Sequence, residues 1–325
     1  MRSCSLFQFH LIKMSSPHFL SWDDLVRANV LTTEENCLQY CIDVGILRDR
    51  KYCSSCQQWM TIVKCSTQKF KDGCCWRCPG GAHFQSIRSD SLLARKQISF
   101  SKFLHLLWLY CTFSSVCQAA VTLSMDPKKV RGFFKAIRQC MAADLLSGDV
   151  MIGGPGQIVE IDESKFGKRK FNCGRRVIGK WVLGGVERGS GECFLVECPN
   201  NKRDANTLCL LILQFVRPGT TIITDKWKGY LPLQHHGYTH YDVNHSRNFV
   251  DPLTGAHTNM IEGTWFHTKR HVKRGHGRVR SDGKALSIAL YEFMWMKRYG
   301  LTRSDPDCRR LFNKELPMLF KRLFD

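Results

Sequence analysis

The spacing of apolar residues divides the chain into a helical first half and a second half in which strands and helices alternate. In residues 20–48, apolar positions recur at helical spacing and predict two short helices. In residues 92–146 the same spacing predicts three more, the first capped by Ser99 or Ser101. The third opens at Ser124-Met-Asp-Pro127, which is typical of a helix with proline in its first turn. The short turns between these three helices favour a DNA-contacting helix-turn-helix module over a generic helical connector.

After a glycine-rich linker at residues 148–156, the pattern changes to one of strands. Alternating and β-branched runs predict strands at residues 159–162, 177–186, 193–198, 220–224 and 239–243. Helices are predicted between the last two strands and, by apolar spacing, at residues 204–216, 259–271 and 284–299. Three strands, a helix, a strand, a helix, a strand and closing helices form the order of a ribonuclease-H-like domain. The predicted fold is therefore an α/β layer sandwich around a mixed sheet.

Composition adds a strong positive charge to this picture. The 325 residues are 43% apolar, an ordinary globular proportion, and carry a formal net charge of +20. Such an excess of cations is tolerated more easily when the partner is a polyanion, and nucleic acid is the commonest one. The alternatives are a basic protein that is merely soluble and one that touches an anionic membrane. The longest apolar stretch, residues 103–125, contains several polar residues and predicts soluble helices, not a membrane span.

The chain contains 17 cysteines, an odd number, and many stand singly in apolar runs. That usage is typical of reduced thiols in a cytosolic or nuclear protein, and not of a short secreted disulfide scaffold. Two CxxC pairs are the exception, because four thiolates in two such pairs form a closed tetrahedral zinc site. The predicted ligands of one Zn²⁺ ion are Cys53, Cys56, Cys75 and Cys78. Cys74 could replace Cys75, and Cys65 is a spare.

Three acidic side chains fall where they can meet. Asp162 ends the first strand of the second half, Asp225 directly follows the fourth, and Glu262 lies in the first turns of a later helix. The first and fourth strands are neighbours in the predicted sheet, so their ends converge with that helix packed over the edge. Two Mg²⁺ or Mn²⁺ ions keep several waters, and two or three carboxylates suffice to hold them. A surface or capping role is the alternative for each acid, but an acid that ends a buried strand needs a partner.

Several ordered motifs resemble the catalytic domain of the ISXO2-like transposases, the group of bacterial IS1595 and IS1016 elements and eukaryotic Merlin elements. They are Ile161-Asp-Glu-Ser-Lys-Phe-Gly167, Val182-Leu-Gly-Gly-Val186, Thr224-Asp-Lys-Trp-Lys-Gly-Tyr230, Val243-Asn-His-Ser246, His257-Thr-Asn-Met-Ile-Glu-Gly-Thr-Trp265 and Leu290-Tyr-Glu-Phe293. The resemblance implies a DDE transposase whose two aspartates fall on Asp162 and Asp225 and whose third acid is Glu262. Asn259 is a weaker candidate, because some relatives use an asparagine near this point. His257 either assists the site or caps the helix.

The resemblance extends more faintly toward the N-terminus. Relatives carry a zinc ribbon followed by a helical DNA-binding segment, and Gly81-Ala-His-Phe84 stands where they often have a Gly-Thr-x-Phe turn. A proline common in the first zinc knuckle of relatives is absent here. The expected organisation is an N-terminal helical segment (1–50), a zinc ribbon (51–85), a helix-turn-helix-like segment (92–147), a ribonuclease-H-like catalytic domain (157–300) and a C-terminal tail (301–325).

A basic stretch follows the third acid, with no acidic residue between Glu262 and Asp282. Its cations are Lys269, Arg270, Lys273, Arg274, Arg278 and Arg280. A solvated helix face is the alternative interpretation. Beside a carboxylate that holds metal and substrate phosphate, however, we expect these cations to position a DNA backbone.

These features predict a DNA transposase that cleaves the ends of its element and joins the 3′-hydroxyl to target DNA. We expect terminal inverted repeats and target DNA as partners, a homo-oligomer on paired ends, no membrane contact, and a nuclear or cytoplasmic location. The competing hypothesis is a host-captured transposase that only binds DNA. Such a protein often loses one of the acids, whereas all three stand here. A plain ribonuclease H is disfavoured by the N-terminal modules.

Overall fold

The computed structural model describes residues 21–167, 179–243, 257–276, 284–301 and 305–324. Two of the predicted DNA-binding cations, Arg278 and Arg280, lie outside the described residues, as does the side chain of Arg274. Within the described ranges, no helix is both long enough and apolar enough to cross a membrane.

Two short helices precede a small antiparallel sheet. Helices α1 (Trp22–Arg27) and α2 (Glu34–Asp43) begin after Ser21 and Thr33, whose side chains accept hydrogen bonds from first-turn N–H groups. They are the two helices predicted within residues 20–48. The sheet that follows has the order β1-β2-β3-β4, with every neighbouring pair antiparallel. Its strands are Lys51–Cys53, Gln58–Lys64, Cys74–Arg77 and Phe84–Ser86.

Three helices then form, as predicted for residues 92–146. They are α3 (Phe100–Cys111), α4 (Val116–Leu123) and α5 (Pro127–Ser147). Of the two serines considered as the cap of α3, Ser99 is the one that caps it. The start of α3 is also held by Glu34 of α2, whose carboxylate accepts the Phe100 N–H at 2.6 Å. A negative charge at this end of a helix is favoured by the helix dipole, so α2 and α3 stabilise each other.

A five-stranded mixed sheet forms the centre of the second half. Its strands are β5 (Ile158–Phe166), β6 (Lys180–Glu187), β7 (Cys193–Glu197), β8 (Thr221–Asp225) and β9 (Thr239–Val243). Their order is β7-β6-β5-β8-β9. The pairs β7–β6 and β6–β5 are antiparallel, while β5–β8 and β8–β9 are parallel. The predictions of a mixed sheet and of neighbouring first and fourth strands are confirmed.

Helices cover both faces of this sheet. They are α6 (Ala205–Phe215), a 3-10 helix (Lys228–His236), α7 (Asn259–His276) and α8 (Lys284–Arg298). Consecutive residues of β7 point to opposite faces. Phe194 stacks on Phe215 of α6 at 5.2 Å, while Leu195 and Trp265 of α7 both lie against Gly184 on the other face. The second half is therefore a layered α/β sandwich.

The C-terminal residues pack into the core. Residues 301–325 are interpreted as a tail from their sequence, yet residues 305–324 form helices α9 (Asp305–Arg310) and α10 (Leu316–Phe324) with a π-helical turn between them. Phe312 packs edge-on against Trp108 of α3, with ring centroids 5.4 Å apart, and Phe320 is fully buried. The tail interpretation is corrected accordingly, because apolar residues recur at helical spacing through this segment.

A buried carboxylate, Glu292 of α8, joins the helical half to the second half. Its Oε1 accepts a hydrogen bond from the Tyr110 hydroxyl of α3 at 2.6 Å. Its Oε2 lies 3.1 Å from Arg138 Nε of α5 and 3.1 Å from His271 Nε2 of α7. An unpaired carboxylate would be costly at this depth, so all four helices are held in one arrangement around it.

A second buried carboxylate, Glu160 of β5, fixes the start of α7. Its Oε2 accepts the backbone N–H groups of Met260 and Ile261 at 2.8 and 3.1 Å. Its Oε1 pairs with Arg188 Nε at 2.7 Å, and the same guanidinium donates to the His257 carbonyl at 2.7 Å. The Glu160 side chain is completely buried. The first turn of α7 is therefore tied to the central strand of the sheet.

Replacing Glu160 with Ala is expected to lower the free energy of unfolding by about 3–5 kcal/mol, because Arg188 and two helix N–H groups lose their partner. Glu160→Gln keeps the acceptor but loses the charge, and is expected to cost less. Urea denaturation of the purified proteins measures both changes. The matched control is Glu192→Ala, which breaks a partly exposed pair with Arg298 (3.5 Å) and should cost under about 1 kcal/mol. Equal costs for Glu160→Ala and Glu192→Ala would contradict the anchoring role.

Candidate functional site

The two predicted catalytic aspartates lie on neighbouring strands of the mixed sheet. Strands β5 and β8 are parallel neighbours, and Glu160 pairs with Ile223 in their register. Continuing that register by two residues places Asp162 beside Asp225, the last residue of β8. The structure thus brings these two acids to adjacent strands at the centre of the sheet, as the sequence predicts. The prediction that Asp162 ends its strand is wrong, because β5 continues to Phe166.

Asp162 is partly withdrawn from solvent and held by an aromatic side chain of α7. The indole Nε1–H of Trp265 donates to Asp162 Oδ2 at 3.0 Å. The indole fits because β6 has glycine opposite Asp162: a Cβ on Gly184 would lie 2.6 Å from the Trp265 ring. The pKa of the Asp162 carboxyl is raised to about 6, mainly by burial and in smaller part by the charges of Asp225 and Glu262.

Asp225 is half-buried at the end of β8 and shapes the turn that follows it. Its Oδ1 accepts the backbone N–H of Trp227 at 3.0 Å, the local hydrogen bond of an Asx turn. This bond fixes the carboxylate relative to the backbone. It also places the indole of Trp227 at the same edge of the sheet.

Glu262 lies exposed in the first turn of α7, on the helix that Glu160 anchors. The charge of Glu262 helps to raise the pKa of the Asp162 carboxyl. Its contribution is smaller than those of burial and of the Asp225 charge. The oxygens of Asp162, Asp225 and Glu262 do not all lie within 4.8 Å of one another; over the described ranges, one cysteine and histidine group meets that criterion. Mutual repulsion of like charges opposes such a cluster, and divalent cations relieve it.

The donor chemistry at this edge fits Mg²⁺ or Mn²⁺. All three side chains offer hard oxygen ligands, which these ions prefer. Asp162 is in addition a partly desolvated carboxylate beside two other negative charges, an environment that binding a divalent cation stabilises.

Glu163 is a functional candidate that the sequence does not single out. Burial is the main cause that raises its pKa to about 7; the charges of Asp162 and Asp225 contribute to the rise, and Tyr230 opposes it. Its Oε1 and the Tyr230 hydroxyl are both buried, and neither has a hydrogen bond of ordinary geometry. As the next residue along β5, Glu163 points to the opposite face from Asp162. The sequence signal for Glu163 is a pair of consecutive acids within β5.

Asn259 and His257, the two further site candidates near Glu262, lie around the start of α7. Asn259 is exposed at the first position of the helix. His257 Nδ1 lies 3.4 Å from Glu160 Oε1, and its carbonyl is bound by Arg188. The structure therefore places His257 beside the carboxylate that anchors the helix.

Of the basic stretch, Lys269, Arg270 and Lys273 are exposed on α7.

Four potential zinc ligands converge in the small antiparallel sheet: Cys53, Cys56, Cys78 and His83. Cys56 Sγ lies 3.5 Å from Cys78 Sγ and 3.0 Å from His83 Nδ1. Cys53 and Cys78 Sγ lie 3.7 and 3.8 Å from the same nitrogen. Ligand atoms on a tetrahedron of zinc dimensions are separated by about 3.5–3.8 Å. The backbone N–H of His83 lowers the pKa of the Cys78 thiol to about 6, which favours the thiolate that binds metal.

Cys75 lies apart from this group, which corrects the predicted ligand set. Residues 74–77 are an extended strand, so Cys75 and Cys78 do not fold back toward one ion as a zinc knuckle requires. Cys75 instead faces the thiol of Cys65. The chain turns after Cys78, where the Cys78 N–H donates to the His83 carbonyl, and this turn delivers His83. The sequence signal for His83 as a ligand is its C-x4-H spacing from Cys78.

Comparison with known proteins agrees with this geometry. Residues 151–296 match the family described as "ISXO2-like transposase domain". A protein of Haemophilus influenzae described as an "Uncharacterized transposase-like protein" is 31% identical over 84 residues, which are 26% of this chain and 65% of the relative. The chain thus matches less than two thirds of that relative's length. The family match includes Asp162, Asp225 and Glu262, so residues 151–296 of this chain are similar to an ISXO2-like transposase domain.

Proposed function

We propose that this protein is a DDE-type DNA transposase with a ribonuclease-H-like catalytic domain. The observation that carries the proposal is the position of Asp162 and Asp225 on adjacent parallel strands, beside the anchored helix of Glu262, within the transposase-family segment. The reaction is cleavage of DNA at the element ends and joining of the freed 3′-hydroxyl to target DNA.

Asp162, Asp225 and Glu262 would hold the divalent ions, Mg²⁺ or Mn²⁺. A pair of such ions activates the attacking oxygen and neutralises the leaving one in phosphoryl transfer. The protein's own part is orientation. Trp265 holds one oxygen of Asp162, the Trp227 N–H holds one oxygen of Asp225, and Glu160 sets the helix that presents Glu262.

DNA is the partner that the charge distribution favours. Lys269, Arg270 and Lys273 stand exposed on α7, on the helix that carries Glu262. We assign them, with Arg274, Arg278 and Arg280, to the DNA backbone. Recognition of terminal inverted repeats belongs to helices α3–α5 and to the small sheet with its cysteine and histidine cluster. A homo-oligomer on paired ends and a nuclear or cytoplasmic location complete the proposal.

Substituting Asp162, Asp225 or Glu262 by Ala is expected to reduce cleavage and strand transfer by roughly 10³-fold or more, with binding to element ends largely kept. The measurement is cleavage and joining of DNA that carries the element's own flanking ends, in Mg²⁺. Asp242→Ala is the control, because Asp242 is an exposed acid on the adjacent strand β9. The two-metal mechanism is wrong if Asp225→Ala cleaves at the wild-type rate.

Zinc should be bound at about one ion per chain through Cys53, Cys56, Cys78 and His83. Cys56→Ser, Cys78→Ser and His83→Ala are each expected to lower the zinc content and weaken recognition of the ends, because the small sheet loses its crosslink. Cys75→Ser is the matched control and should keep the metal. Elemental analysis of freshly reduced protein decides between the two ligand sets. Loss of zinc in Cys75→Ser with retention in His83→Ala would favour the four-thiolate set.

Neutralising Lys269, Arg270 and Lys273 together is expected to weaken binding to element ends and to random duplex alike. Each lost phosphate contact should reduce the slope of log affinity against log salt by about one. Titrations at several salt concentrations measure this, with Lys314→Ala, an exposed cation of the C-terminal helices, as control. Selective loss of binding to element ends, with random duplex unaffected, would mean that α7 reads sequence.

A further inference from the structure

Two tryptophans and an arginine form a stack at the catalytic edge of the sheet. The guanidinium carbon of Arg203 lies 4.2 Å from the ring centroid of Trp181 and 4.7 Å from that of Trp227. Lys165 Nζ lies 5.4 Å from the Trp181 ring. The three stacked side chains come from β6, from the residue before the cap of α6, and from the turn after β8. We refer to Trp181, Arg203 and Trp227 as the aromatic stack.

The aromatic stack lies next to the candidate metal site. Trp227 is two residues beyond Asp225 and donates its backbone N–H to that carboxylate at 3.0 Å. Trp181 pairs across the sheet with Lys165, which lies on the same face of β5 as Glu163 and on the opposite face from Asp162. A group bound on Trp227 is therefore close to Asp225, at the end of β8.

Trp227 is held in place and yet remains open. A Cβ on Gly229 would lie 2.6 Å from Trp227 Nε1, so the glycine leaves room for the edge of the indole. Together with Arg203, this contact restrains the ring. The side chain is nevertheless 42% exposed. A purely structural latch would bury the indole, whereas a restrained and exposed indole is suited to binding a planar group.

The surrounding charge favours a polyanionic ligand. Lys202, Lys226 and Lys228 are exposed beside the aromatic stack. Lys226 is only loosely paired, with its Nζ 3.8 Å from an Asp242 oxygen. Cations that follow a backbone, together with aromatic rings that accept bases, are the combination by which proteins bind single-stranded nucleic acid.

We propose that the aromatic stack binds an unpaired DNA nucleotide next to the reacting phosphodiester, with its base stacked on Trp227 and its phosphate near the flanking lysines. This inference rests on the proposed function, because it takes DNA as the substrate. A base removed from the duplex beside the scissile bond needs a surface that replaces its lost stacking, and Trp227 provides that surface.

The test uses a forked duplex whose unpaired arms carry either thymidines or abasic residues, so that charge and length are identical. Affinity is measured in Ca²⁺ without Mg²⁺, where binding is read separately from cleavage. Wild-type protein should bind the thymidine fork roughly 5- to 100-fold more tightly than the abasic fork. Trp227→Ala should remove this preference and leave affinity for the abasic fork unchanged. Trp227→Phe should retain part of the preference.

The matched control is Trp59→Ala. Trp59 is likewise an exposed tryptophan beside an arginine (55% exposed, Arg50 at 5.4 Å), but it belongs to the small antiparallel sheet. This variant should keep the preference for bases. Loss of the preference in Trp59→Ala with retention in Trp227→Ala would overturn the proposal, as would equal wild-type affinities for the two forks.

The outcomes also separate this inference from the proposed function. Mg²⁺-dependent cleavage without any base preference leaves the transposase proposal intact and removes the nucleotide site. A preference that depends on Trp227, in a protein that never cleaves, supports the nucleotide site and removes the catalytic proposal. Circular dichroism of the Trp227 variants establishes that any lost preference is not a loss of folding.

Discussion

The candidate active site depends on one buried ionic contact, that of Glu160. A carboxylate with no exposure to solvent is unstable unless charge and hydrogen bonds satisfy it. Arg188 and two N–H groups of α7 do so, and the N–H groups are available only if the helix begins at that point. The same helix carries Glu262, Trp265 and the exposed cations. A single constraint on β5 thus fixes the positions of the third acid, of the indole that orients Asp162, and of the exposed cations on α7.

The arrangement around Glu292 extends this constraint to the helices of the first half. His271 lies three turns along α7 from its start and contacts the same carboxylate as Tyr110 and Arg138. The segment expected to read DNA sequence and the segment expected to cut DNA therefore share a buried polar network as well as apolar contacts. Residues 305–324 reinforce this by packing on α3 and α5. Modules that look separate along the sequence form a continuous core.

Elements with strong local signals could be predicted from the sequence. Alternation and a β-branched run identified β5 and β8, Ser99 marked the start of α3, and strand order brought Asp162 beside Asp225. What could not be predicted depends on where the backbone turns. The pair Cys75 and Cys78 has knuckle spacing, but the segment between them pairs as a strand, and the turn comes later, at His83. The anchoring role of Glu160 could likewise not be predicted, because its partners include backbone groups that are distant in sequence.

The chemistry of the sheet edge is asymmetric, and this asymmetry follows from strand alternation. Asp162 faces Trp265 and α7, while the next residue, Glu163, points to the opposite face, toward Tyr230. The aromatic stack lies on the face of Glu163, at the start of β6 and in the turn after β8. Hard oxygen ligands and a planar π-surface thus stand side by side but serve different parts of one nucleotide: its phosphate and its base. A nuclease that acts on stacked duplex needs only the first, so the presence of both favours a substrate with an unpaired end.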